Sequence, residues 1–218
     1  MKYHIIKDLI ILAAILIVGL GVKMGYDSVQ TNHDRMKSFE KSLAEMGTGI
    51  SIDNQRKAKI AKATDMILSR NKQLPYEVAM NYAEWFVDES DRYTNVDFVL
   101  LISIASQESA FKYKAYSNVG AAGLMQLMPG TAADMCEYLR MSYADSIRFD
   151  PKTNIRLGAR LVNKLMTRFD NDTLTVIAAY NGGEGGGAKY QKGLPIFEET
   201  KNYIPLVLAY KRKYEKML

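Results

Sequence analysis

Alternation with period two never persists along this chain, and that constrains its fold more than any single motif. A sheet needs side chains that switch faces at every residue. Here apolar residues recur at steps of three and four, and even the dense run from Val96 to Ala105 merges into helical spacing. The fold class is therefore all-α, despite 14 tyrosines that would suit strands. Segments Thr131 to Met141, Pro151 to Phe169, Thr173 to Tyr180 and Lys201 to Leu218 read as helices between glycine-rich loops. Upstream, Asp53 caps a segment that reaches Arg70, and Pro75 opens another that ends around Tyr93 to Asn95.

The N-terminus breaks with this pattern. Leu9 to Val22 is an uninterrupted run of apolar residues and glycines. With Lys7, Asp8 and Lys23 at the interface, the span stretches from Ile5 to Met24, long enough to cross a bilayer. Its strict apolar core is also short enough for a secretory signal. The absence of an A-x-A site, and of a cysteine for lipidation, favours an uncleaved transmembrane anchor over residues 1–24. Flanking charges do not fix its orientation, since Lys2 and Lys7 precede it while Lys23, Arg35 and Lys37 follow.

Residues 25–70 read as a helical linker or stalk. Val29, Asn32, Met36, Phe39, Leu43, Met46 and Ile50 form a heptad-like stripe, which either pairs two chains or packs on the protein's own domain, the second being the preferred expectation. Gly47 and Gly49 are expected to stop that helix near Met46. Residues 71–218 then form one globular domain.

Composition mainly excludes. A net charge of +5 favours a polyanionic surface or substrate, but 29 basic against 24 acidic residues is too mixed for a dedicated nucleic-acid binder. The single cysteine, Cys136, permits no intrachain disulfide. With only His4 and His33 beside it no zinc site can be assembled. Cys136 has no histidine partner and reads as a buried structural thiol rather than a nucleophile.

In the helix that starts near Asp97, Leu100, Ile104 and Glu108 are four apart, which stacks the carboxylate on the face of two aliphatic side chains. The C-terminal helix end and the apolar surroundings both disfavour its ionisation, and a glutamate protonated near neutral pH can serve as a general acid. Taken alone, a glutamate in a last helical turn is more often simply solvated.

Its company changes that reading. Glu108-Ser109-Ala110-Phe111 is followed in order by Gly123-Leu124-Met125-Gln126-Leu127-Met128-Pro129-Gly130-Thr131-Ala132, then by Ala179-Tyr180-Asn181-Gly182-Gly183, then by Leu194-Pro195 with Glu199-Thr200 and Tyr203. This series resembles the successive motifs of the lytic transglycosylases related to soluble lytic transglycosylase, over Pro75 to Tyr210, about 60% of the chain. The resemblance implies a goose-type-lysozyme-like helical catalytic domain with Glu108 as its acid/base. It makes Ser109, Met125, Gln126, Tyr180, Asn181, Glu199 and Tyr203 substrate-site residues. Ser109 either hydrogen-bonds around the glutamate or is an ordinary polar residue at a helix end. Met125, alone a core filler, is expected to offer an apolar face to a sugar ring, and Gln126 a donor and an acceptor. Tyr180 resembles the family tyrosine whose hydroxyl lies close to the catalytic glutamate, and Asn181 resembles a saccharide-binding residue. Tyr203 belongs to the segment that closes the cleft, with Glu199 at its rim. The run Gly182-Gly183-Glu184-Gly185-Gly186-Gly187 is expected to be a mobile loop, and no Gly-Lys-Ser/Thr makes it a phosphate cradle.

Glycoside hydrolysis ordinarily uses two carboxylates. One well-placed candidate is visible here, since Asp134, Glu184, Glu198 and Glu199 sit in no second catalytic motif. One glutamate suffices if it first protonates the glycosidic oxygen and then takes a proton from the substrate's own hydroxyl. In the resembling family that hydroxyl is the C6-OH of N-acetylmuramic acid (MurNAc) and the product is a 1,6-anhydro sugar. The resemblance thus implies a cofactor-free peptidoglycan lyase acting on glycan strands. It would be held in the inner (cytoplasmic) membrane by its N-terminal helix with the catalytic domain in the periplasm, and envelope-machinery proteins are candidate partners. Two alternatives stay open: a muramidase-type hydrolase of the same fold, and a non-catalytic cell-wall-binding subunit of an envelope-spanning machine, against which the intact Glu108 argues.

Overall fold

A computed structural model describes the backbone of residues 2–218 and the side chains of residues 16–31, 33–46, 48–49 and 51–218. The elements are α1 (Lys2–Arg70), α2 (Tyr76–Asp91), α3 (Phe98–Glu108), α4 (Pro129–Tyr138), a 3-10 turn (Asp145–Phe149), α5 (Pro151–Arg168), α6 (Thr173–Gln191) and α7 (Glu198–Glu215). Among the described residues the only extended pairing is two isolated bridges, Tyr116 with Ala122 and Ala122 with Leu127. The all-α class holds.

Two compact units are distinguished, Met1–Gln55 and Arg56–Leu218. In the first, α1 runs through Gly47 and Gly49 without the expected stop. A glycine ends a helix when it adopts the left-handed conformation beyond the last turn. Gly49 is not among the glycines with positive φ, and in mid-helix such a residue costs about 1 kcal/mol relative to alanine, too little to break a long helix. Among the described residues no helix is long and apolar enough to cross a membrane. Half of the apolar run expected to anchor the chain, Leu9 to Ile15, has side chains outside the described set.

The second unit begins at Arg56 rather than at residue 71, because the last turns of α1 carry side chains that it buries. Ala63, Met66 and Ile67 are fully buried in its core. Arg56 donates to Glu84 at 2.9 Å and to Asp88 at 2.7 Å, and Lys59 pairs with Asp91 at 3.0 Å, clamping these turns to α2.

At the centre is α3, buried on every side from Phe98 to Ser106. A helix apolar all round belongs inside a core, and α3 packs against α7, α2 and α5. Asp97 caps it by accepting from the Val99 N–H at 3.0 Å. Its two buried serines do not disrupt it: Ser103 donates back to the Val99 carbonyl, while Ser106 donates to Ile102 and also bonds the Tyr214 hydroxyl at 2.7 Å.

The glycine run after Asn181 is not the expected loop. α6 continues to Gln191, broken only at Gly183, where φ is 72° and ψ 172°. Gly186 and Gly187 are buried, and a Cβ at Gly187 would collide with Ala179 and Phe169. Gly187 serves close packing there, and the run as a whole is helical on both sides of Gly183.

Candidate active site

Glu108 is the last residue of α3. Its carboxyl is pushed up to about 7 from an ordinary 4.5, first by burial, against a hydrogen bond from Tyr203 that favours the ionised form, and with a further upward push from the Glu199 charge. The chain leaves α3 through Ser109 and then through Ala110 and Phe111, both left-handed, with φ of 49° and 62°. Two successive non-glycine residues in that region need outside support. It comes from Asn71, which donates to the Ala110 carbonyl at 3.0 Å, and from the Ser109 hydroxyl, which accepts from the Phe111 N–H at 3.1 Å. Ser109 also donates to the Leu124 carbonyl at 2.7 Å, so the residue after the glutamate ties α3 to the following loop.

That loop rests on two buried polar side chains that the sequence did not single out. Asn154, on the first turn of α5, accepts from the Met125 N–H at 2.7 Å and donates to the carbonyls of Ala122 and Arg148 at 3.1 and 2.7 Å. Arg148, 1% exposed, donates to the carbonyls of Gly120 and Leu127 at 2.7 and 2.8 Å. Gly123, at φ +83°, passes so close that a Cβ would collide with the Arg148 carbonyl and the Asn154 amide. A signal for Asn154 existed. It is a polar residue at the start of the strongly amphipathic α5, beside Ile155, Leu157 and Gly158, and a buried amide is retained where its hydrogen bonds are filled.

Two expectations are revised by this geometry. Met125 does not face a sugar: its side chain is fully buried and lies against Gly158 of α5, where any Cβ would collide with its sulfur. What it presents to the site is its carbonyl, which accepts from the Tyr180 hydroxyl at 2.7 Å. Tyr180 is close enough to feel the Glu108 charge, but it is not the tyrosine bonded to the carboxyl. Tyr203, buried on α7, donates its hydroxyl to Glu108 Oε1 at 2.6 Å. Both hydroxyls are raised well above the usual tyrosine range, by burial first and then by the Glu108 charge, so both stay protonated donors. Gln126, left-handed at φ 46°, spends both amide hydrogens on the carbonyls of Ala115 and Gly123, at 3.1 and 2.9 Å.

The remaining predicted residues, Asn181 and Glu199, meet each other. Asn181, the residue after Tyr180 on α6, donates to Glu199 Oε1 at 3.2 Å, while the hydroxyl of the buried Thr200 donates to Asn181 Oδ1 at 2.7 Å. This hydroxyl fixes which end of the amide faces the exposed Glu199. Gly182 allows the approach, since a Cβ there would come within 2.9 Å of the Thr200 hydroxyl.

Other carboxylates are committed elsewhere. Glu184 pairs with Lys164 at 2.7 Å, Glu198 pairs with Lys201 at 3.1 Å, and Asp134 lines a separate pocket of about 560 Å³ with Glu137, Tyr138, Arg140 and Lys164. Among the described residues no three His, Cys, Asp or Glu side chains are grouped to hold a metal ion. Cys136 is buried between α4 and α5 residues, and burial raises its thiol.

The transglycosylase SLT domain profile matches residues 86–202. The soluble lytic murein transglycosylase of Escherichia coli is 35% identical over 128 residues, 52% of this chain and 20% of that protein. Membrane-bound lytic murein transglycosylase D of E. coli is 31% identical over 156 residues, 64% of this chain and 33% of that protein. A crystal structure of an inactive Glu-to-Gln mutant of lytic transglycosylase Slt from Pseudomonas aeruginosa superposes with a TM-score of 0.57 at 29% identity, covering 73% of this chain and 30% of that one. The chain thus matches about a fifth to a third of the length of these relatives.

Proposed function

The chain belongs to the transglycosylase SLT domain family, and from that premise we propose that it cleaves the β-1,4 bond between MurNAc and N-acetylglucosamine in peptidoglycan without water, leaving 1,6-anhydro-MurNAc ends. The observation that carries this reading is Glu108, a single carboxyl raised to about 7 with a tyrosine hydroxyl 2.6 Å from it. Near neutral pH such a group is divided between acid and base, which the two halves of the reaction need in turn. As the acid it gives its proton to the glycosidic oxygen while the bond from C1 of MurNAc to that oxygen breaks. As the carboxylate it takes the proton of the C6 hydroxyl while O6 bonds to C1, and Glu108 ends protonated as it began. Tyr203 favours the carboxylate that exists between the two steps. The Tyr180 hydroxyl, its one hydrogen given to the Met125 carbonyl, stays un-ionised beside the same charge.

One observation favours the hydrolase alternative. Glu199 is close enough to raise Glu108, and it is the second carboxylate such an enzyme would need. Against it, Glu199 is exposed and already accepts from Asn181. Digestion of purified peptidoglycan in water labelled with heavy oxygen, read by mass spectrometry, separates the two. Unlabelled anhydro ends are expected, with activity abolished in Glu108→Gln. Labelled reducing ends as the major product would replace the lyase reading by hydrolysis.

The same reading extends to organisation. Residues 1–24 anchor the chain in the inner membrane, 25–55 form a helical stalk, and the unit from Arg56 acts on the extracytoplasmic side, where glycan strands lie. The apolar run from Leu9 to Val22 supports the anchor. A reporter fused after residue 24 should remain in the membrane fraction, outside the cytoplasm. A soluble, processed reporter would mean a cleaved signal instead.

A further inference from the structure

The stripe on α1 has a feature that catalysis does not use. In heptad notation Val29, Met36, Leu43 and Ile50 take position a, and Asn32, Phe39 and Met46 take position d. Val29, Met36, Phe39, Leu43 and Met46 are each more than half exposed, in an unbroken helix. Charged residues end the seam, with Asp53 at the next d and Lys57 at the next a. The positions beside the seam are informative. Arg35 takes g and Glu40 the following e, with small or polar residues, Ser28, Ser42, Gly47 and Gly49, at most of the other flanking sites.

Five residues apart, Arg35 and Glu40 are not neighbours on one helix, where contacts join residues three or four apart. They are neighbours across a parallel coiled coil, in which g of one helix faces e of the next heptad on the other. We propose that residues 29–50 bind a second copy of this chain as a parallel, in-register two-stranded coiled coil, closed by two symmetric Arg35–Glu40 ion pairs. An antiparallel pair would set g against g and e against e, leaving Arg35 with no acidic residue opposite. A slipped register would likewise carry Arg35 of one helix away from Glu40 of the other. The membrane anchor proposed above also places both N-termini at one surface, but the charge pattern selects the parallel arrangement without it.

Single cysteines introduced into the full-length chain test this, since the native Cys136 is buried. Val29→Cys and Met46→Cys lie near opposite ends of the seam, and Lys41→Cys faces away from it at position f. Under mild oxidation V29C and M46C should each form disulfide-linked homodimers, about tenfold more than K41C. Arg35→Glu should weaken self-association by about tenfold, and R35E combined with E40R should restore it. Equal cross-linking at all three positions, cross-linking at only one end of the seam, or failure of the charge swap to restore pairing would overturn the proposal. Every readout is association rather than glycan cleavage, so its failure leaves the lyase reading untouched.

Discussion

Holding a carboxyl ready to act as an acid costs stability, and Glu108→Gln should recover it. The wild-type carboxyl ionises at about 7 in the folded chain, against an ordinary 4.5. Below the lower value both folded and unfolded states hold the proton, and the residue contributes no pH dependence. Between the two values the folded state binds more protons than the unfolded one, so stability falls as pH rises. Above about 7 both are ionised and the loss is complete. The separation corresponds to about 3 kcal/mol, an upper figure for a carboxyl that still touches water. Glutamine keeps the shape and can still accept from Tyr203, but it never ionises. The variant should therefore match wild type near pH 4 and exceed it near pH 8 by about 2–3 kcal/mol. Urea titrations of the full chain, followed by the fluorescence of its single tryptophan, Trp85 on α2, provide the measurement. At a typical slope the midpoints should differ by about 1–2 M at the higher pH. Burial of other groups, including Glu89, cancels in the comparison. An advantage of equal size at both pH values, or none at pH 8, would refute the claim that burial holds this carboxyl up.

Tyr203→Phe removes a donor that favours the ionised carboxyl, so the alkaline limb of the kcat/KM profile for anhydro-product release should move up by about one pH unit while the plateau falls; a limb that stays put would mean that the hydroxyl does not act on Glu108. Glu199→Gln removes a like charge but keeps an acceptor for Asn181, and should move the same limb the other way, toward lower pH. Gly123→Ala adds a Cβ where φ is +83° and the Arg148 carbonyl and Asn154 amide already sit, and should cost about 3 kcal/mol or more in the same urea assay; a loss below about 1 kcal/mol would show that the loop has room to shift.

Periodicity exposed what is local. The helix start near Asp97 and the stacking of Leu100, Ile104 and Glu108 follow from spacing within one helix, and the structure has each of them. The same is true of Pro151 at the first turn of α5, with Asp150 accepting from the Thr153 N–H at 2.8 Å. What spacing cannot tell is which element a side chain meets. Motif position makes Met125 a cleft residue but says nothing of Gly158, 33 residues away, whose missing Cβ admits its sulfur to the core. Glycine was the least legible residue. At Gly47 and Gly49 it suggested a helix end and at Gly182 to Gly187 a loop, yet both lie within helices, the second broken only at Gly183.

Tyr180 and Tyr203 show the same limit at the chemistry itself. Tyr203 is buried and Tyr180 partly so, both are raised by the Glu108 charge, and both use their hydroxyl as a donor. Their roles differ because α6 sets one hydroxyl on a backbone carbonyl while α7 sets the other on the carboxyl. The Tyr203 bond couples the last residue of α3 to a residue 95 positions later. Thr200, three residues before Tyr203 and so on the same side of α7, reaches Asn181 on α6. One helix face thus fixes the hydroxyl on Glu108 and the amide of Asn181 together. A displacement of α7 would disturb both at once, whereas a change at either side chain alone would disturb one.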